Sequence, residues 1–183
     1  MNISFRYSLL VCVCLILSCT GCASRPDEQI KLAEDAMNQA LEQFAEQYAP
    51  DEWKSAKEIW DQAQQELADE RFSAAAASFT TAKARLLKAT EVAKENRASM
   101  QKTVLDYQAN IQDSYDKFKS DASGAKLSGA ARKEYETACA DIDKRISLIE
   151  TQMQQGDFIG AKDNALGALQ AIDYAGKKLL PGK

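Results

Sequence analysis

Apolar residues return along this chain at alternating steps of three and four. Ile30, Ala33, Met37, Ala40 and Phe44 form one series; Trp53, Ala56, Trp60, Ala63 and Leu67 form the next. Phe72, Ala75, Phe79, Ala82, Leu86 and Ala89 follow, then Met100, Val104, Tyr107, Ile111 and Phe118 at helical spacing. The last two series are Cys139, Ile142, Ile146, Ile149, Met153 and Phe158, Ala161, Ala165, Ala168, Ile172, Ala175. An α-helix turns once in about 3.6 residues, so each series occupies one face and predicts a helix packed on a neighbour. Alanine at so many of these positions implies close approach of the helix axes. No stretch alternates with the period of a half-buried strand. The pattern predicts an all-α fold of antiparallel helical hairpins, an elongated helical bundle with one long central helix.

Local signals place the boundaries. Ser24 is the expected cap of the first helix, with Pro26 in its first turn. Pro50 ends that helix near Ala49, because a residue before proline resists the α conformation. Pro50, Asp51 and Glu52 then open the second helix, with acids at its positive end. No breaker interrupts 72–119, which as one helix would run about 70 Å; a kink at 96–99 is the alternative. The Ser- and Gly-rich stretch 120–129 reads as a linker.

A shift of 86 residues superposes two hairpins. Trp60 falls on Ile146, Ala63 on Ile149, Leu67 on Met153, Phe72 on Phe158 and Ala75 on Ala161. Ala82, Leu86 and Ala89 fall on Ala168, Ile172 and Ala175. One helical hairpin module is therefore used twice.

The N-terminus carries a different pattern. Arg6 precedes an almost unbroken apolar run at 8–17, and no further charge occurs before Arg25. That is the layout of a secretory signal, and the run is shorter than the ~20 residues a membrane span requires. It ends in Ser-Cys-Thr-Gly-Cys-Ala-Ser, where Cys22 follows the small residues Thr20 and Gly21. Here the chain resembles a bacterial lipoprotein precursor. The resemblance implies a diacylglycerol on the Cys22 thiol, removal of residues 1–21 and attachment to the lipid bilayer through acylated Cys22. Cys19 is the competing acceptor, with the bulky Leu17 at position −2. Ala23 stands where that family uses Asp for inner-membrane retention, so the resemblance implies the periplasmic face of the outer membrane.

A second resemblance covers about residues 30–95. Tyr48-Ala49-Pro50, followed by two alanine-striped helices and a turn ending at Phe72, is similar to an alanine-rich helical domain of unknown function in bacterial envelope lipoproteins. That family transfers no activity. Ala75, Phe79 and Ala82 also resemble the second helix of a tetratricopeptide repeat in their packing. Together these readings divide the chain into a signal peptide at 1–21 and a lipidated cysteine with a short tether at 22–26. A helical hairpin domain with the long helix follows at 27–119, then a linker at 120–129 and a second hairpin at 130–183.

Composition narrows the chemistry. Residues 1–21 contain Arg6 and no acid, so removing them from a chain of 23 basic and 27 acidic side chains leaves 22 and 27, a net charge of −5. Such a chain has no electrostatic reason to hold nucleic acid. It contains no histidine, which removes Ser-His-Asp and Cys-His catalysis and leaves the cysteines without zinc-ligand company. No glycine-rich phosphate loop is present. Acidic pairs such as Glu34-Asp35 and Asp51-Glu52 read as solvated helix faces, so neither catalytic residues, a metal nor a cofactor is expected. Cys139 reads as a buried core thiol. Trp53, Trp60, Tyr107 and Tyr115 read first as core-packing residues, and they are also the candidate partner-binding aromatics. The terminal Lys183 resembles the lysine by which the major outer-membrane lipoprotein family is joined to peptidoglycan, and that resemblance makes it a candidate wall attachment. The expected function is a non-enzymatic helical scaffold that binds an envelope protein, with a peptidoglycan-linking or wall-sensing lipoprotein as the alternative.

Overall fold

The structure, a computed structural model, describes residues 24–180. Helices are its only regular elements among those residues: α1 (Asp27–Glu42), α2 (Ala45–Tyr48), α3 (Pro50–Ala68), α4 (Phe72–Ala125), α5 (Gly129–Gln155) and α6 (Phe158–Leu179). The all-α fold with one long central helix is as the spacing predicts. Cys22, the other signal-region cysteines and Lys183 lie outside the described residues.

Two compact units divide inside α4, between Ala93 and Lys94. In the first, Ile30 and Ala33 of α1 pack with Ala63 of α3 and with Ala75 and Phe79 of α4, flanked by Trp60 and Leu67. In the second, Val104, Ile111, Tyr115 and Phe118 of α4 share a core with Ile142 and Ile149 of α5 and the alanine stripe of α6. Each core thus takes one face from three helical segments. Burial of those faces, more than intrinsic helix propensity, is what stabilises the helices.

Several boundaries differ from the sequence reading. Helix α4 runs unbroken through 96–99 and on to Ala125, so six residues of the expected linker are helical. Ala122 is buried and extends the Tyr115–Phe118 face, and packing outweighs the poor helix propensity of Ser120, Ser123 and Gly124. The turn is confined to 126–128, where Lys126 takes φ 47°. Pro26 rather than Ser24 occupies the N-cap of α1, and no side chain caps it. The first helix also ends earlier than Ala49. Phe44 adopts a left-handed conformation (φ 56°) between α1 and α2, and its ring is exposed rather than on the core stripe. Ala49 leaves the helical conformation before Pro50 (φ −142°, ψ 56°), where proline disfavours the α region. Cys139 is a free thiol that is half-buried against the second core rather than fully enclosed, because only one side of its helix position meets the packed face.

The repeat reaches the hydrogen bonds. In the α3–α4 turn, Arg71 N–H donates to Glu66 C=O (2.9 Å) and Glu70 N–H to Leu67 C=O (3.1 Å). In the α5–α6 turn, Asp157 N–H donates to Gln152 C=O (2.9 Å) and Gly156 N–H to Met153 C=O (3.2 Å). Both turns are the same Schellman closure, 86 residues apart. The left-handed position is Glu70 (φ 56°) in one and Gly156 (φ 75°) in the other. A Cβ costs free energy in that conformation and glycine has none. Glu70→Gly is therefore expected to stabilise the first unit by about 0.5–1 kcal/mol. Gly156→Glu is expected to destabilise the second, since a Cβ there would also stand 2.4 Å from Arg97 Nη2. Urea midpoints of the two variants, shifting in opposite directions, check both.

A polar bridge repeats as well. Ser78 Oγ donates to Glu66 Oε2 across the first hairpin (2.6 Å), and Asn164 Nδ2 donates to Gln152 Oε1 across the second (2.9 Å). Glu66 is only 6% exposed, yet it is charged where its counterpart is neutral. Hydrogen bonds from Gln62 and Ser78, with Arg71 nearby, hold its carboxyl below the ordinary range against the opposing effect of burial. A depressed folded pKa stabilises fully above the unfolded value, about 4.3, and that stability is lost as pH falls through the lower folded value. Glu66→Gln is expected to keep the Ser78 bond, to lower stability at neutral pH toward that of the acid-protonated parent, and so to flatten this acid limb. Denaturation midpoints followed from about pH 7 to about pH 3 test it; an acid limb as steep as the parent's would contradict it.

Candidate functional site

The four aromatics singled out by sequence do not converge. Trp60 is half-buried and meets Phe79 edge to face, with ring centroids 5.6 Å apart and planes at 79°. Tyr115 is buried in the second core, where its hydroxyl donates to the Cys139 carbonyl (3.3 Å). Burial first, and that hydrogen-bonded neighbourhood second, push its phenol well above the ordinary value. Tyr107 is half-buried against the same core. These three are packing residues. Trp53 lines a surface recess, beside Glu46, Pro50, Lys57 and Asp61, and Lys57 and Asp61 form an ion pair along α3. Trp53 and Trp60 belong to one unit and Tyr107 and Tyr115 to the other.

A larger concavity lies along the α5–α6 hairpin, and the apolar stripes did not reveal it. Its floor is made by Ala130 and Ala138 from α5 and by Ala171, Ala175 and Leu179 from α6, and it encloses about 510 Å³. That volume is in the range of small-ligand and peptide clefts. Tyr174 stands at its edge with 64% of its surface exposed, the most of any large apolar residue among those described. Charged side chains form the rim. Lys178 pairs with Glu134 across the groove, which raises the lysine's pKa, and its ammonium lies 5.8 Å from the Tyr174 ring. Asp141 accepts from Arg145 Nε at 2.9 Å within α5. Lys133 completes the rim.

The repeat supplies a comparison inside the same chain. A recess of about 170 Å³ in the first hairpin is lined by Asp51, Glu52, Ser55, Arg85 and Lys88. Shifted by 86, these positions are Thr137, Ala138, Asp141, Ala171 and Tyr174, all of which line the larger groove. The same topological groove is thus present twice. In the first hairpin two acids and two long basic side chains occupy it. In the second, truncation to Thr137, Ala138 and Ala171 opens an apolar trough. The signal was present in the sequence, at the polar positions between the stripes. It emerges only when Arg85 and Lys88 are set against Ala171 and Tyr174.

Among the described residues no three His, Cys, Asp or Glu side chains gather to hold a metal ion. No described helix is long and apolar enough to cross a membrane. In comparisons with known proteins, no family model, no curated protein and no solved structure matches the chain.

Proposed function

We propose that this protein is a lipoprotein of the bacterial envelope, held at the periplasmic face of the outer membrane by acylated Cys22, whose helical part is a non-enzymatic scaffold that binds a protein. The observation that carries this reading is the α5–α6 groove, an alanine-floored trough with a charged rim, opened where the equivalent positions of the first hairpin carry charges. An apolar floor with a polar rim is the anatomy of a protein-binding patch. Small floor residues admit the ridge of another helix, and the rim charges set its register. The apolar run ahead of Cys22, and the small residues before it, support the anchor.

The test is a photo-crosslinking amino acid placed at Thr137, an exposed groove residue, in the full chain in intact cells. The expected result is a covalent protein adduct that is absent when the same group replaces Lys102, outside the groove. No adduct from the groove position overturns the scaffold reading.

A further inference from the structure

The groove has the attributes of a self-complementary surface. It carries one exposed knob, Tyr174, and one hole floored by Ala138, Ala171 and Ala175. Charges are arranged symmetrically along α5. Lys133 lies four residues before Thr137 and Asp141 four residues after it, all three on one helix face and all lining the groove. A two-fold axis passing near Thr137 would set Lys133 of each copy against Asp141 of the other. It would also turn each Tyr174 toward the other copy's alanine floor. Isologous pairing has this requirement, that a patch contain both halves of each contact. A groove between two helices that receives the same pair from a second copy becomes a four-helix arrangement, whose knobs enter holes made by small residues.

We propose that the occupant of the α5–α6 groove is the same groove of a second copy of this chain, so that the protein pairs through its second hairpin. The inference rests on the scaffold reading and names its partner. Charge complementarity selects the second copy: Asp141, held through Oδ2 by Arg145 of its own helix, meets Lys133 of the other copy. The first hairpin cannot pair in this way, because Arg85 and Lys88 occupy its recess. The contact is small, so the pairing is of the weak, concentration-dependent class. Confinement of two anchored copies to one surface raises their effective concentration and favours such contacts.

All described core residues lie between Ile30 and Leu180, so the chain from Ser24 onward carries both described cores. Sedimentation of that chain over a concentration series is expected to move from monomer toward dimer. A second variant transfers the first hairpin's residues: Thr137→Asp, Ala138→Glu, Ala171→Arg and Tyr174→Lys. The fold already accepts those side chains at the equivalent positions, so far-UV circular dichroism is expected to be unchanged while the dimer is lost. In intact cells the Thr137 crosslinker on the full chain is expected to give an adduct of twice the chain mass, with peptides of this chain only. A wild-type chain that stays monomeric throughout the series overturns the proposal, as does a dimer that survives the fourfold substitution. A crosslink to a different protein also overturns it while leaving the scaffold reading intact; no crosslink at all removes both.

Discussion

Phe79→Ala is expected to destabilise the first unit by about 3–5 kcal/mol, the range for a buried phenylalanine replaced by alanine. Phe79 is fully buried at the centre of a core otherwise built from Ile30, Ala33, Ala63 and Ala75. The cost of such a truncation depends on how far the surroundings relax into the void. Alanine side chains cannot extend, so three of the four buried neighbours leave the cavity open. Trp60 loses its edge-to-face partner, worth a further ~0.5–1.5 kcal/mol in pairs of this kind. Both tryptophans, Trp53 and Trp60, lie in this unit, so their fluorescence reports on it alone. The fluorescence transition in urea is expected to fall to lower concentration and to separate from the later part of the circular dichroism transition, which includes the helices of the second unit. Phe79→Leu is expected to recover most of the loss, since it refills the space without the ring contact. An unchanged fluorescence midpoint in Phe79→Ala would mean that Phe79 does not hold α1, α3 and α4 together.

Phe79 also shows why the core was legible in the sequence. Ala75, Phe79, Ala82, Leu86 and Ala89 recur at helical spacing and all are buried, because a helix with one packed face forces that spacing. Phe44 marks the limit. It sits on the same three-and-four pattern, with no glycine or proline beside it, yet it is exposed in a left-handed break. Periodicity shows that a face exists and does not show which neighbour covers it. Helix α4 departs in the other direction, since burial of Phe118 and Ala122 carries it through residues that favour a turn. The aromatics on the stripes read first as packing residues, because a ring on a packed helical face fills space between helices. Trp60 and Tyr115 do fill space between helices, Trp60 against Phe79 and Tyr115 within the core of the second unit. The groove, by contrast, was hidden. It arises from side chains that are missing, Ala171 where Arg85 stands and Ala138 where Glu52 stands, and a search for apolar stripes passes over such positions.

Cys22→Ser is expected to lose its lipid and, once residues 1–21 are also removed, to leave the membrane fraction for the soluble fraction. Each acyl methylene buried in the bilayer contributes about 0.8 kcal/mol, and one short chain gives only reversible binding, whereas two give a stable anchor. A diacylglycerol on Cys22 is sufficient by that measure. No described helix replaces it, because none is long and apolar enough to cross a membrane. Without residues 1–21 the chain carries a net charge of −5, which gives no electrostatic attraction to anionic lipid. One confounding anchor has to be removed: if acylation and cleavage are coupled, the serine variant keeps the apolar run at 8–17 and remains bound through it. The decisive measurement is therefore incorporation of an alkyne-labelled fatty acid. The label is expected on the parent chain and on Cys19→Ser, and is expected to be lost from Cys22→Ser. Label that persists in Cys22→Ser but disappears in Cys19→Ser would move the anchor three residues upstream. A parent chain that takes up no label would leave the groove without the membrane confinement on which a weak pairing depends.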